Sequence, residues 1–239
     1  MTSTMYLRRA QPSDEPAIAS IFTRAFLDED LFGRVMHPHR KQYPNDMQLF
    51  WHEWLRHDWQ SPRSRVLVVW RRPSEASTEE QILGAALWQR QGDDAGAQKV
   101  MQESPPPPDA ASFPPLQITQ NRAADPSKKN IMEAAAPFTK HHWTGSRANN
   151  WYLSLCGVDP DFAGHSIGKM LVAWGLDQAR QEGIAASVLT SPGTNAFYLK
   201  CGFDDIVGNA CEGEGNPLAE AGVQGGDVLF MWGKEGRTE

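Results

Sequence analysis

The chain has little of what disulfide frameworks, membrane proteins and nucleic-acid-binding proteins require. Its 239 residues include only three cysteines, Cys156, Cys201 and Cys211, which lack the spacing of a metal site. No stretch approaches the roughly 18 consecutive apolar residues of a membrane-spanning helix. The net charge of −6 argues against nucleic-acid binding, which normally needs a basic face. We therefore expect a cytoplasmic protein with no nucleic-acid partner, no membrane partner and no metal.

Hydrophobic periodicity predicts helices and strands along most of the chain. Apolar residues at helical spacing follow Ser13, which we interpret as the N-cap of a first helix. Compact runs of β-branched and aromatic residues predict strands, and the second and third of them should form an antiparallel pair. The predicted helices are 14–26, Asp30–Met36, Asp46–Asp58, Ser127–Phe138, Ser166–Glu182 and Thr194–Cys201, and the predicted strands are Met5–Arg9, Val66–Trp70, Ile82–Gln89, Trp151–Val158, Ala185–Leu189, Phe203–Val207 and Asp227–Trp232.

One long segment departs from this pattern. Residues 92–125 include the prolines Pro105–Pro108 and Pro114–Pro115 and few large apolar side chains. Such a composition buries too little surface to offset the entropy lost on ordering the chain. We predict a single domain over residues 1–239, in which residues 92–147 form a Pro-rich insertion that is partly disordered or wrapped on the surface.

The most informative stretch is Val158–Leu171, where a strand ends, a turn contains Gly164, and a helix begins near Gly168. A helix start with small residues presents unpaired N–H groups and the positive end of the helix dipole, which together suit a diphosphate. An ordinary glycine-containing turn fits the local pattern equally well. A Walker A loop does not fit, because three residues rather than four separate Gly164 from Gly168 and methionine follows Lys169.

The letters V-D-P-D-F-A-G-H-S-I-G-K-M-L of this stretch resemble the acetyl-CoA loop of the GNAT superfamily of N-acetyltransferases. The resemblance continues in Ser191–Phe203, where a helix bearing Tyr198 ends at Gly-Phe, and in the strand and helix of Met5–Phe26. It implies an α/β (α+β) fold: a single GNAT-type domain with a mixed central sheet, splayed at the strand preceding the loop, and helices on both faces. Ala163 stands where the family prefers Gln or Arg, and Ser166 where it prefers Gly.

The resemblance further implies that acetyl-CoA is the co-substrate and that an amine attacks it directly in a ternary complex. The strand before the loop would hydrogen-bond the pantetheine through its backbone, and the loop would hold the pyrophosphate. The implied cofactor-binding residues are Leu155, Gly157, Val158, Ala163, Gly164, His165, Ser166, Ile167, Gly168, Lys169, Ser191 and Tyr198.

Two residues are candidates for catalysis. Tyr198 takes the position of the family's thiol-facing tyrosine. A phenol has a reference pKa near 10 and a thiol near 8.5, so we expect Tyr198 to donate a hydrogen bond to the leaving sulfur rather than to act as a strong acid. A backbone N–H near Cys156 is expected to polarise the thioester oxygen. Cys156 as a nucleophile is disfavoured, since no paired histidine is identifiable.

The sequence leaves the identity of the general base open. The strand before the loop contains no carboxylate, but Tyr152, Ser154 and Cys156 alternate onto one predicted face and could hold a chain of water molecules.

Acidic residues suggest the acceptor. Asp28, Glu29 and Asp30 follow the first helix, where relatives often bind the acceptor, and we expect them to attract an ammonium group. This favours a cationic small-molecule or peptide amine, such as a polyamine, an amino sugar or a lysine-like amine. If tryptophans such as Trp54 line the acceptor groove, the acceptor would instead be apolar or aromatic.

Two candidate functions are consistent with the sequence. The first is an acetyl-CoA-dependent N-acetyltransferase, expected as a monomer or homodimer. The second is a non-catalytic, acyl-CoA-binding GNAT-like module that regulates a partner. The loop departures at Ala163 and Ser166 and the missing strand carboxylate motivate the second.

Overall fold

The computed structural model, which describes residues 4–74 and 77–234, contains seven strands and seven α-helices. The strands are β1 (Met5–Arg9), β2 (Ser64–Arg71), β3 (Gln81–Gln91), β4 (Asn150–Val158), β5 (Ala185–Thr190), β6 (Asp205–Asn209) and β7 (Asp227–Met231). The helices are α1 (Glu15–Ala25), α2 (Met47–Gln60), α3 (Ala95–Gln102), α4 (Ile131–Thr139), α5 (Ile167–Glu182), α6 (Asn195–Cys201) and α7 (Pro217–Glu220).

The strands form one sheet in the order β1-β2-β3-β4-β5-β7-β6. Only β4 and β5 are parallel; the other neighbours in this sheet of the described chain are antiparallel. The predicted antiparallel pairing of β2 with β3 is therefore confirmed. The predicted mixed sheet is confirmed as well.

Helices cover both faces of the sheet. On one face α5 contributes Leu171, Val172 and Leu176 to a core that also holds Trp88 and Trp151. On the opposite face α1 and α2 pack on β2 and β3, and the side chains buried there include Ile18, Phe22, Trp51, Leu55 and Val68. Each face is buried because its strands present apolar side chains in alternation.

The helix predicted at Ser166–Glu182 is confirmed as α5, and its apolar residues form one stripe. Leu171, Val172, Gly175, Leu176 and Ala179 are all buried, as their i, i+3, i+4 spacing requires. The helix crosses the ring of Trp88, whose indole N–H donates to the carbonyl oxygen of Leu171 at 3.1 Å.

Near the N-terminus, the predicted N-cap is wrong, whereas the predicted helical region at Asp30–Met36 is present. Ser13 is not the cap of α1, because Pro12–Asp14 form a 3₁₀ turn and Asp14 takes the N-cap position. The carboxylate of Asp14 instead accepts hydrogen bonds from Arg8 and from the backbone N–H of Gln11. The helical segment predicted at Asp30–Met36 is a π-helical turn over Asp30–Val35.

Between β3 and β4 the chain forms α3, α4 and several 3₁₀ turns. The segment buries a few apolar side chains against the rest of the molecule, among them Ala97, Phe113 and Ile131. Phe113 packs beside Trp59 of α2, with 5.4 Å between the ring centroids. Phe113 therefore ties the middle of the segment to α2, whereas Val100 of α3 packs against the core on the α5 side.

Candidate active site

Two neighbouring strands part at the centre of the sheet. β4 pairs with β5 only from Asn150 to Leu153, opposite Ala185 to Val188. Beyond that point β4 continues to Val158 without β5. The splay implied by the resemblance is present, and a cavity of about 220 Å³ opens there. The predicted cofactor residues Leu155, Gly157, Val158, Ser191 and Tyr198 line it together with Cys156, Glu29 and Phe32.

A β-bulge at Ser154 decides which way the side chains of β4 face. Leu155 pairs with Leu87 and Leu153 with Trp88, so Ser154 is the extra residue in β4. The alternation therefore shifts by one residue. Cys156 packs against the core on the α5 side, whereas Tyr152 lies on the opposite side, near Trp143. The prediction that Tyr152, Ser154 and Cys156 share one face is wrong, because the bulge reverses the pleat between them.

The loop between β4 and α5 presents its backbone to solvent. Gly164 has φ 80° and Ser166 has φ 63°, both in the left-handed region. Residues 163–166 are exposed, and Lys169 is exposed one turn into the helix. Ser166 occupies the N-cap position of α5, yet its side chain makes no capping hydrogen bond. The side chain of Ser166 therefore leaves the first N–H groups of α5 uncapped, and such groups at the start of a helix can bind an anion.

Neighbouring elements hold this loop in place. Arg24 of α1 reaches Asp159 at 2.7 Å and Asp161 at 2.9 Å. On the other side Gly168 approaches Phe197 of α6 so closely that an added Cβ would lie 3.1 Å from its ring. The imidazole Nδ1 of His165 lies within 3.1 Å of two carbonyl oxygens of the loop itself.

Tyr198 is buried at the wall of the 220 Å³ cavity. Burial raises the pKa of its phenol well above 10, and the nearby thiols of Cys156 and Cys201 add to the shift. The side chain therefore stays protonated at neutral pH and can donate a hydrogen bond. Burial likewise raises the pKa of the Cys156 thiol to about 12, which leaves it a poor nucleophile.

Of the three acidic residues after α1, the structure brings only Glu29 to the cavity. One carboxylate oxygen of Glu29 accepts the backbone N–H of Phe32 at 2.7 Å, and the other accepts the hydroxyl of Ser191 at 3.1 Å. Burial raises its pKa above 4.5, despite these hydrogen bonds. Asp30 is paired with Arg34 at 2.6 Å, and the side chain of Asp28 is largely exposed.

A second, larger cavity of about 520 Å³ shares Glu29, Phe32, Ser154, Leu189 and Ser191 with the first. Its remaining lining comes from α2, α4 and the turn after it, β4, the ends of β3 and β5, the π-helical turn, α7 and the loops on either side of α7. The place of α4 in this wall was not predicted, although Met132, Ala135, Ala136 and Thr139 recur at the spacing of one helix face. Trp54 and Trp143 also line this cavity, whereas Trp51 is fully buried in the core.

Among the described residues, no three His, Cys, Asp or Glu side chains cluster in a way that could hold a metal ion. Within the same residues, none of the helices is both long and apolar enough to cross a membrane.

The sequence model of the acetyltransferase (GNAT) family matches residues 132–203. That stretch contains α4, β4, the loop, α5, β5 and α6, and so includes the first cavity's strand and tyrosine. No curated protein matches the chain.

Solved structures share the fold. A histone acetyltransferase HPA2 and related acetyltransferase from Corynebacterium glutamicum is similar over 97% of both chains, with a TM-score of 0.57 and 17% identity. A mosquito arylalkylamine N-acetyltransferase like 5b is similar over 96% of this chain and all of its own, with a TM-score of 0.50 and 14% identity. A GNAT family acetyltransferase from Brucella melitensis, solved in complex with acetyl-CoA, matches over 85% of each chain with a TM-score of 0.42 and 16% identity.

The resemblance to the GNAT superfamily is thus confirmed by the family's own sequence model and by the fold. The seven-stranded mixed sheet with helices on both faces is the GNAT architecture.

Proposed function

We propose that this protein transfers the acetyl group of acetyl-CoA to an amine, with Glu29 as the general base. The observation that carries the proposal is the position of Glu29, which lines both the 220 Å³ cavity at the splayed strands and the 520 Å³ cavity beside it. An acceptor in the larger cavity and a thioester in the smaller one would meet at this carboxylate.

The residues at the splay fit the cofactor. The exposed loop from Ala163 to Ser166 leads into the N-terminus of α5, which suits a pyrophosphate, and the edge of β4 left free by β5 suits an extended pantetheine. Leu155, Gly157 and Val158 would provide that edge. When bound, acetyl-CoA supplies an acetyl group on a thioester, which is open to attack by a neutral amine.

Glu29 would make the amine neutral. An alkylamine has a pKa near 10.4 and arrives as an ammonium ion, which cannot attack. The carboxylate of Glu29 accepts one proton from it, and a raised pKa makes that carboxylate a stronger base. The hydroxyl of Ser191 and the N–H of Phe32 hold the carboxylate in place.

Tyr198 and the backbone near Cys156 would stabilise developing charge. A strand N–H in this region polarises the thioester oxygen as the carbon–nitrogen bond forms. The phenol of Tyr198 donates a hydrogen bond to the sulfur as the carbon–sulfur bond breaks. The second proton of the amine nitrogen is released as the amide forms, and it neutralises the thiolate through solvent.

Calorimetric titration with acetyl-CoA, followed by thiol release with a panel of primary amines, tests the proposal. We expect binding and amine-dependent release, and we expect Glu29→Gln to keep acetyl-CoA binding while lowering kcat/KM by roughly 100-fold or more. In the wild type, kcat/KM should fall as the pH is lowered through the raised pKa of Glu29. Glu29→Gln should lose that acidic limb.

Three outcomes would contradict the proposal. Binding without thiol release on any amine would favour a regulatory acyl-CoA-binding module. No binding would exclude both functions. A Glu29→Gln variant with wild-type activity and an unchanged pH profile would remove Glu29 from the reaction.

A further inference from the structure

The lining of the 520 Å³ cavity is aromatic and apolar. Phe32 and Trp54 form one T-shaped pair at 5.8 Å between ring centroids, and Trp143 and Tyr152 form another at 5.9 Å. The indole N–H of Trp143 donates to Ser187 at 2.9 Å, which leaves its ring as the part available to a ligand. The volume lies within the roughly 300–1,000 Å³ of pockets that hold drug-sized molecules.

Few charged side chains line this cavity. Among the described residues that line it, only Glu29 and Lys140 carry a formal charge. Glu29 is half-buried at the junction with the smaller cavity, and Lys140 is exposed. A ligand with one ammonium group can place that group at Glu29. A second ammonium group would meet apolar walls or the positive charge of Lys140, and an unpaired buried charge is costly.

We propose that the acceptor is a monoamine with a bulky aromatic or apolar body, which lies in the 520 Å³ cavity against Trp54 and Trp143. The inference rests on the proposed acetyl transfer and narrows its substrate class. It replaces the polyamine or lysine-like acceptor that the acidic turn Asp28–Asp30 suggested, because only Glu29 of that turn reaches the cavity.

Helix α4 would set the size of the acceptor. Ala136 is exposed on α4 and lines the cavity, whereas Ala134 is exposed on the same helix and lies outside the lining. A large side chain at position 136 therefore fills ligand space at little cost to folding. The same change at position 134 points away from that space and is the matched control.

The first test compares amines that differ in one feature. Hexylamine and 1,6-diaminohexane have the same chain and differ by one ammonium group, and 2-phenylethylamine differs from ethylamine by its ring. We expect kcat/KM to favour hexylamine over the diamine by about tenfold or more, since burying an unpaired charged group is costly. We expect 2-phenylethylamine to exceed ethylamine by roughly 100-fold.

The second test uses the variants and does not depend on turnover. Quenching of tryptophan fluorescence by 2-phenylethylamine, without acetyl-CoA, reports binding beside Trp54 and Trp143. Ala136→Trp should weaken this binding by about tenfold or more, and Ala134→Trp should leave it unchanged. Thiol release with ethylamine should be unchanged in the control Ala134→Trp.

Different outcomes would contradict the proposed acceptor class and the proposed acetyl transfer on which it rests. A diamine that is acetylated as well as hexylamine, or binding that Ala136→Trp does not weaken, would overturn the acceptor class while acetyl transfer stands. Failure of every amine in the panel, with acetyl-CoA bound, would overturn the proposed function itself.

Discussion

Tyr198 shows how a single buried residue can be suited to one role and unsuited to another. Its pKa is raised well above 10 by burial, so giving its proton fully to a thiolate is uphill. Donating a hydrogen bond costs no such transfer. The cavity wall at Tyr198 therefore fits charge stabilisation in the transition state better than acid catalysis.

Replacing this hydroxyl should affect turnover alone. We expect Tyr198→Phe to keep the fold and acetyl-CoA affinity and to lower kcat by roughly tenfold or more, because the donor acts only as the sulfur gains charge. Steady-state thiol release and calorimetric titration measure the two quantities. Tyr43→Phe, which changes a ring beside Arg122 outside both cavities, is the control and should leave kcat unchanged. An unaltered kcat in Tyr198→Phe would remove this hydroxyl from the mechanism.

Burial also affects Asp58 of α2, but there it alters how stability depends on pH. Its side chain accepts one hydrogen bond from Gln89 at 3.3 Å, and its second carboxylate oxygen has no partner among the described residues. Burial raises its pKa from 3.8 to about 6. The folded protein therefore holds this proton more tightly than the unfolded chain does. Ionisation of Asp58 thus destabilises the fold progressively as the pH rises from about 4 to about 6.

We expect the free energy of unfolding of Asp58→Asn to exceed that of the wild type by a margin that grows as the pH rises. The variant escapes an ionisation cost of up to about 3 kcal/mol at pH 8, and this advantage vanishes below about pH 4. Urea unfolding of both proteins at pH 4.5 and pH 8 measures the difference. A difference in unfolding free energy that is the same at both pH values would show that Asp58 does not titrate in this way.

At the scale of whole elements, the sequence predicts those helices, strands and loops that are determined by local periodicity. The stripe on α5, the strand before it and the loop between them follow from spacing within one continuous stretch of sequence, residues 150–182, and the structure confirms these elements. The bulge at Ser154 could not be predicted in this way, because an extra residue exists only relative to the partner strand. The same holds for α4, whose place in the cavity wall is set by packing against residues far away in the chain.

The fit of α5 on the sheet can be tested at Gly175. This glycine lies directly over Trp88, and a Cβ added to it would overlap the indole ring. We expect Gly175→Ala to lower the free energy of unfolding by about 1–3 kcal/mol, the usual range for overpacking, although alanine favours helix elsewhere. Asp177→Ala, on the exposed side of the same helix, should change it by about 0.5 kcal/mol or less. Thermal or urea unfolding measures both. A more stable Gly175→Ala would show that Trp88 can move aside.

At the scale of the whole molecule, residues 92–147 are tied to distant parts of the chain. Arg122 pairs with Asp46 at 2.7 Å, and the side chain of Asn121 lies 3.0 Å from the imidazole of His37. The N–H of Asp125 donates to the carbonyl of Met36 at 2.9 Å. A small core joins three regions of sequence, namely Val35 and Met36, Ile131 and Ala135, and Ala210 and Leu218.

Because that core draws on all three regions, we propose that the chain unfolds as one domain, with residues 92–147 as an integral part. Ile131→Ala deletes a side chain that is 5% exposed within this core. We expect Ile131→Ala to lower the free energy of unfolding by roughly 2–5 kcal/mol and to lower the midpoint of a single calorimetric transition, with equal van't Hoff and calorimetric enthalpies. Met132→Ala, on the cavity face of the same helix, should cost less because its side chain is only partly buried.

If the segment were an independent flap, Ile131→Ala would leave the main transition where it is and add a separate transition at lower temperature. The acceptor cavity would then lose its α4 wall before the sheet unfolds, and binding of 2-phenylethylamine would be lost before acetyl-CoA binding.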